Sequence, residues 1–383
     1  TAARGLRGVT DEEKAKAYIA LADAQKSLGR NSDALTNLAH ARRRLSKDPL
    51  AKASVYRRQA SIQRDSSNAR AALRSVRLGI AEARRLGGQN AVLIESNLVA
   101  VRSATFRHLG HHQQALASAH EALELASLAG DSEAIADANM AIHNELILLG
   151  NRDESYGREA IRLYQQMDQL VGVAVALNNL AVHTWHEGNI EGALSQYFEA
   201  NSAARMAGDT YLQALTLVNI GESLVELSRY GEAARTISDA LPSLRAAGMD
   251  TYRAAALRHL GSAHIGLGDL EGGRMTLVQA VESAKTIEDF EELTESLRAL
   301  AQLELRIGQV TQALSLIEDA LSIAEHNDYT YLLPSLRRTE GEILLANGST
   351  DVARERLLLA KQEAQNFSAG EVAKIEALIE SLG

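Results

Sequence analysis

Side chains able to donate and accept hydrogen bonds recur at one fixed interval in this chain. Asn139, Asn179 and Asn219 stand 40 residues apart, and His259 continues the column at the same step. A carboxamide carries both donors and an acceptor, so a ladder of them can clamp an extended peptide backbone in either direction. The same groups can instead bond between neighbouring helices and fix their stacking. Arg258, Arg298 and Arg338 form a second column with the same spacing. Three guanidinium groups on one face can receive carboxylates or phosphates of a partner. They can equally pair with acids of the chain itself, such as Glu222 and Glu342. Asn178 and Trp185 are seven residues apart, which puts them on one helix face. The sole tryptophan serves as a partner's anchor if exposed, or packs between adjacent helices.

Support for catalysis is thin. His108, His111 and His112 cluster around a turn with no carboxylate at metal-ligand spacing, and His183 and His186 are a lone pair on one helix. No glycine-rich phosphate loop follows a strand, because no strand is expected. Cysteine is absent, which excludes disulfides and thiolate metal sites and fits a reducing, cytoplasmic compartment. The chain is therefore expected not to be an enzyme and to need no cofactor or metal.

The elements that carry these columns repeat about every 40 residues. A small residue recurs at Ala41, Gly79, Ala122, Ala160, Ala200, Ala240, Ala280, Ala320 and Ala360. A period of this size means helix pairs stacked as a solenoid, each burying its apolar face on its neighbours. In residues 209–250, Asp209 is an expected N-cap. Leu212, Leu215, Ile220 and Leu224 then follow at helical spacing, and small Gly221 marks a close crossing. The pattern breaks at 228–231, and a second helix carries Ala233, Ile237 and Ala240. Turn glycines such as Gly29, Gly110, Gly188, Gly268, Gly308 and Gly348 supply the left-handed conformation that ends a helix. Asp131, Asp168, Asp250, Asp289 and Asp328 are expected to cap later copies.

Three places fit less well. The copy near 50–88 has Asp65-Ser-Ser-Asn68 instead of a turn glycine. The copy near 131–168 either holds two more residues after Asn139 or is shifted in register. Pro242 falls inside a second helix, where a kink or a late start is expected.

Composition agrees with an all-α chain: alanine and leucine abound, and only 3 prolines occur in 383 residues. No apolar run approaches the roughly 18 residues that span a bilayer, so no membrane contact is expected. The chain starts at Thr1 without methionine, as a piece of a longer protein with further attached domains would. Net charge is −9, but residues 1–110 hold 21 basic and 9 acidic residues, leaving 19 and 40 for the remainder. Arg42, Arg43, Arg44, Arg57, Arg58, Arg64, Arg70, Arg74, Arg77, Arg84 and Arg85 make a basic end with Tyr56 as its only nearby aromatic. Nucleic-acid contact there is the weaker alternative, for want of interleaved aromatics.

The motif Leu180-Ala181, Ala193-Leu194, Tyr197 and Ala200 resembles the tetratricopeptide repeat, and Ile220-Gly221, Ala233, Ile237 and Ala240 match it almost as well. The resemblance runs from about Asp11 to Ala360. The family's common unit is 34 residues, so these copies look more like the long units of Pins-type scaffolds, kinesin light chains and sensor arms of bacterial transcription activators. The alanine- and arginine-rich, lysine-poor bias points the same way, to a bacterium of high GC content. The resemblance implies a right-handed superhelix of about nine helix pairs plus a C-terminal capping helix. The repeats would be 11–48, 49–88, 89–130, 131–168, 169–209, 210–250, 251–289, 290–328 and 329–368, with the cap at 369–383, as one solenoid over 1–383. It also implies that the first helix of each pair lines a concave groove holding a protein or peptide, and that Asn139, Asn178, Asn179, Asn219, His259, Trp185, Arg258, Arg298 and Arg338 line it. The expected role is the sensor or docking module of a bacterial signalling or transcription regulator. The alternative is a passive assembly scaffold or homo-oligomerisation module.

Overall fold

The computed structural model describes residues 10–365 and 369–382. Among them are nineteen helices and no strand. The chain divides into two compact units, Thr1–His183 and Thr184–Gly383. The first holds α1 (Asp11–Ser27), α2 (Asn31–Arg44), α3 (Pro49–Asp65), α4 (Ala69–Ala83), α5 (Gln89–His108), α6 (His112–Ala129), α7 (Ser132–Leu148) and α8 (Ser155–Gln166). The division falls inside α9 (Leu170–His186). The second holds α10 (Ile190–Ala207), α11 (Thr210–Glu226), α12 (Tyr230–Ala246), α13 (Asp250–Gly266), α14 (Leu270–Thr286), α15 (Phe290–Arg306), α16 (Val310–His326), α17 (Leu333–Ala346), α18 (Thr350–Ala364) and α19 (Ala369–Glu380). The expected repeat 329–368 and cap 369–383 lie outside the described residues at 366–368 and 383. Within each unit, helices pack on their neighbours in chain order, the architecture of an all-α helical-repeat solenoid.

One rule of packing holds the pairs together. A small residue on the first helix meets a large apolar one sixteen positions later on the second: Gly221 and Ile237, Gly261 and Leu277, Gly341 and Leu357. A Cβ on Gly221 would stand 2.3 Å from Ile237 Cγ1, so only glycine lets the two helices approach this closely. Ala22 with Leu38, Ala60 with Val76, and Ala301 with Ile317 keep the same spacing and share core clusters. Leu38, Ile237, Leu277, Ile317 and Leu357 are fully buried, each contributing roughly 1.5–3 kcal/mol.

The caps sort into two kinds. Asp131, Asp209 and Asp289 accept the backbone N–H groups of Ala134, Leu212 and Glu292 at 2.8, 2.9 and 3.1 Å, as N-caps do. Asp168 and Asp328 correct the expectation: both sit just past a helix with φ of 53° and 58°. They close α8 and α16 in the left-handed conformation that aspartate tolerates better than most residues. Asp250 also does not cap, because Met249 holds that position and Asp250 pairs instead with Arg253 at 3.3 Å. The missing turn glycines are replaced by Ser67 and Ser228, at φ of 56° and 57°, and Gly231 lies inside α12.

The two remaining irregularities are local. The connection from α7 to α8 runs over residues 149–154, twice the length of residues 227–229 between α11 and α12. Pro242 lies within continuous α12, which starts at Tyr230 rather than late.

Candidate functional site

In the second unit, the first helices of successive pairs present a row of polar side chains. Asn219 and Glu222 stand on α11, Arg258 and His259 on α13, and Glu292, Glu295 and Arg298 on α15. Asn219 and Glu222 are one helical turn apart and so share a face. The Arg258 guanidinium forks onto Glu292, with Nε donating to Oε1 at 2.8 Å and an Nη donating to Oε2 at 3.1 Å. Ser296 Oγ donates to the same carboxylate at 2.9 Å. Arg298 reaches Glu295 at 2.5 Å, while its Nε is buried without a hydrogen bond. Burial works against charge on Arg258, but Glu292 and Glu295 outweigh it and hold the guanidinium protonated. The same burial disfavours ionised Glu295, yet Arg298 and Arg258 keep its carboxyl below the usual range.

Glu222 is the exception in this row. Its side chain keeps 38% exposure, yet burial of the carboxyl among neighbouring atoms pushes it above the ordinary range. Attraction by Arg258 only partly offsets that, because Arg258 is committed to Glu292. Among the described residues the one in ion-pair reach is His259, whose Nε2 lies 3.7 Å from Glu222 Oε1. Burial and nearby Arg258 hold that imidazole well below its usual pKa, so it is neutral near pH 7 and supplies no cation. The row therefore contains a carboxylate with no lysine or arginine in ion-pair contact among the described residues.

Aromatic rings stand in the same unit. Tyr211 on α11 is exposed and meets Tyr252 on α13 edge-on, ring centroids 6.3 Å apart. Tyr331, just before α17, is also exposed, and burial together with Glu291 raises its hydroxyl. Such rings, apolar with a polar tip, suit reversible contact with a partner.

The other expected residues separate by unit. In the first, Asn139 is buried and Nδ2 donates to Ile135 O of its own helix at 2.8 Å. Asn179 Nδ2 donates to Asn144 Oδ1 at 3.0 Å, and Asn178 Nδ2 lies 3.4 Å from Asn179 Oδ1. Of these, only the Asn179–Asn144 bond links two helices, α9 and α7. In the second, Trp185 is half-buried with His186 edge-on at 5.3 Å, and its Nε1 is buried without a hydrogen bond. It packs rather than projects. Arg338 on α17 is held by Glu342 at 2.5 Å and by Glu371 of α19 at 2.6 Å. The arginine column is thus ion-paired within the chain.

The reading by 40-residue columns missed Asn144, Glu292, Glu295 and Glu371. A signal for them exists at a different spacing. Asn144–Asn179 are 35 residues apart, Arg258–Glu292 34, Arg338–Glu371 33 and Asp23–Arg58 35. Stacked first helices touch at one repeat minus about a turn and a half, so pairs at 33–35 identify side chains that meet.

No family model matches the chain, and no curated protein matches it. Solved structures do. A signal-transduction ATPase with numerous domains and a tetratricopeptide repeat sensor, from Pyrococcus horikoshii, aligns over 99% of this chain with TM-score 0.65 and 13% identity, and 56% of that protein is covered. The apo quorum sensor NprR from B. thuringiensis aligns over 92% of this chain and 97% of its own, with TM-score 0.64 and 14% identity. A Rap protein complexed with Competence and Sporulation Factor aligns over 87% of this chain and 98% of its own, with TM-score 0.53 and 13% identity. At these identities the likeness is one of fold: with the small-on-large register of its helix pairs, the chain is a helical-repeat solenoid similar in fold to tetratricopeptide-repeat proteins.

Proposed function

We propose that the chain is a protein- or peptide-binding module, not an enzyme, and that the polar row on α11, α13 and α15 receives a segment with a basic side chain. The observation that carries this reading is Glu222, a carboxylate with no lysine or arginine in ion-pair contact among the described residues, Arg258 nearby being forked onto Glu292. A ligand's lysine or arginine would supply the missing charge. Asn219 would bond its backbone, and Tyr211 and Tyr252 would pack on its apolar parts. Arg258 and Arg298 position Glu292 and Glu295 as the walls rather than reaching the ligand themselves. Two of the similar structures are named as sensors, and a third is named as a complex with Competence and Sporulation Factor, which supports a regulatory polypeptide as the ligand class. The fitting role is the sensor or docking part of a bacterial regulator.

The test is affinity capture from nuclease-treated and untreated lysate of the source organism, with wild type beside Glu222→Gln and Asn219→Ala. A protein or peptide retained by wild type and lost from both variants is the expected result. Glu222→Gln should also leave the fold intact or slightly more stable, since it removes an uncompensated charge. A partner bound equally by all three proteins would overturn the assignment. Self-association unaffected by either substitution would favour a passive assembly scaffold.

A further inference from the structure

A second surface lies elsewhere, in the first unit. Helices α4 and α5 leave an open cleft of about 560 Å³. Its floor is apolar, made by Leu73 and Ile80 of α4 and Phe106 of α5. Its rim carries Arg70, Arg74 and Arg77, at positions i, i+4 and i+7 of α4, all exposed. That spacing strings three positive charges along about 10 Å of one helix face.

Several arginines near these three in the chain are paired. Arg58 pairs with Asp23, Arg64 with Asp65, Arg84 with Glu95 and Arg107 with Glu145. Arg102, which also lines the cleft, donates to Ser118 Oγ at 3.1 Å and pairs with Glu121. Arg70, Arg74 and Arg77 have no ion pair or side-chain hydrogen bond among the described residues. Three like charges in a row raise one another's energy, and an apolar floor beside them loses contact with water only when covered. Both deficits are met by one kind of occupant.

We propose that this cleft docks an acidic amphipathic segment of a partner protein, with carboxylates on Arg70, Arg74 and Arg77 and apolar side chains against Leu73, Ile80 and Phe106. A single small carboxylate cannot serve charges spread over two helical turns. A nucleic acid would satisfy the arginines but leave the apolar floor unused, and one half-buried phenylalanine offers no run of rings for bases to stack on. The site shares no residue with the polar row at Glu222 and carries the opposite charge, so either can fail without the other.

The experiment uses the full chain and three fluorescent probes. One is an 18-residue peptide with glutamate and leucine on opposite faces of a helix. The second replaces its leucines with serine, and the third is an oligothymidylate of similar charge. Anisotropy titrations are run on wild type, on Arg70→Ala/Arg74→Ala/Arg77→Ala and on Glu222→Gln, with circular dichroism to check folding. The Glu/Leu peptide should bind wild type and Glu222→Gln alike and lose at least tenfold in affinity to the triple variant. The serine peptide should bind wild type at least tenfold more weakly than its parent. The proposal is overturned by equal binding of the leucine and serine peptides, by tighter binding of the oligonucleotide, by binding that survives the triple substitution, or by no saturable binding of the Glu/Leu peptide.

Discussion

Gly157 of α8 lies flat against the ring of His143 on α7: a Cβ on the glycine would stand 2.9 Å from His143 Cδ2 and 3.0 Å from Cε1. In this pair the packing rule is inverted, with the large residue on the first helix and the small one on the second. Gly157→Ala must therefore push a buried ring. Alanine's better helix propensity offsets part of the overpacking, and we expect a net loss of about 1–2 kcal/mol in urea unfolding. Unchanged or increased stability would mean that the His143 ring gives way freely.

His143 is fully buried, neither ring nitrogen makes a hydrogen bond, and the His183 ring lies 5.4 Å away. Burial and then His183 lower its pKa to about 4, against opposing pulls from Glu154 and Asp153. The unfolded chain takes up a proton near the ordinary 6.5 while the folded chain does not. Stability from this residue is thus complete above about pH 6.5 and declines as pH falls toward 4, by about 3 kcal/mol over the window. Unfolding free energies of wild type and His143→Leu across pH 4–7 should converge in slope only above 6.5; parallel curves throughout would refute the assignment.

The Arg258–Glu292 fork is nearly enclosed, with side-chain exposures of 17% and 10%. Arg258→Ala leaves Glu292 with Ser296 as its remaining hydrogen-bond donor from a side chain. The expected loss is about 3 kcal/mol. Removing both partners should cost less than the sum of the single losses, and a double-mutant cycle with no coupling would show the fork to be incidental.

Pro242 within α12 leaves the Ser238 carbonyl without its usual helical donor. Pro242→Ala restores that N–H and should stabilise the chain by about 1–3 kcal/mol, seen as a higher unfolding midpoint. A lower midpoint would show that the surroundings have been built around the ring: Pro242 lines a cleft of about 470 Å³ with Leu241, Arg245 and Leu257.

The repeat, its helical class and the close approach at Gly221 were legible in the sequence because one physical requirement recurs in most copies. Small residues must face large ones wherever two helices cross. Local exceptions were harder to read, since the left-handed closing residue is glycine in most copies but Ser67, Asp168, Ser228, Glu288 or Asp328 in others. The candidate site was legible only in part. Columns at 40 residues identify equivalent positions, and so found Asn219, Arg258 and Arg298. They do not identify neighbours, which meet at 33–35, and so missed Glu292 and Glu371. Nor does spacing tell that Arg258 is already engaged while Glu222 is not; that follows from burial and from which carboxylate the guanidinium reaches first.

The long connection at residues 149–154 has a consequence for how this chain tolerates added length. Each residue inserted within a helix turns everything beyond it by about 100°, so two would swing the core-facing stripe to the far side. Added between Asn151 and Asp153, residues change no helical phase. There the backbone bonds include Asn151 N–H to Leu146 O, Asp153 N–H to Asn151 Oδ1 and Ser155 N–H to Asp153 Oδ1, each at 2.9 Å. A peptide tag or a small foreign domain grafted at this point would leave every helix on either side with its own face still inward.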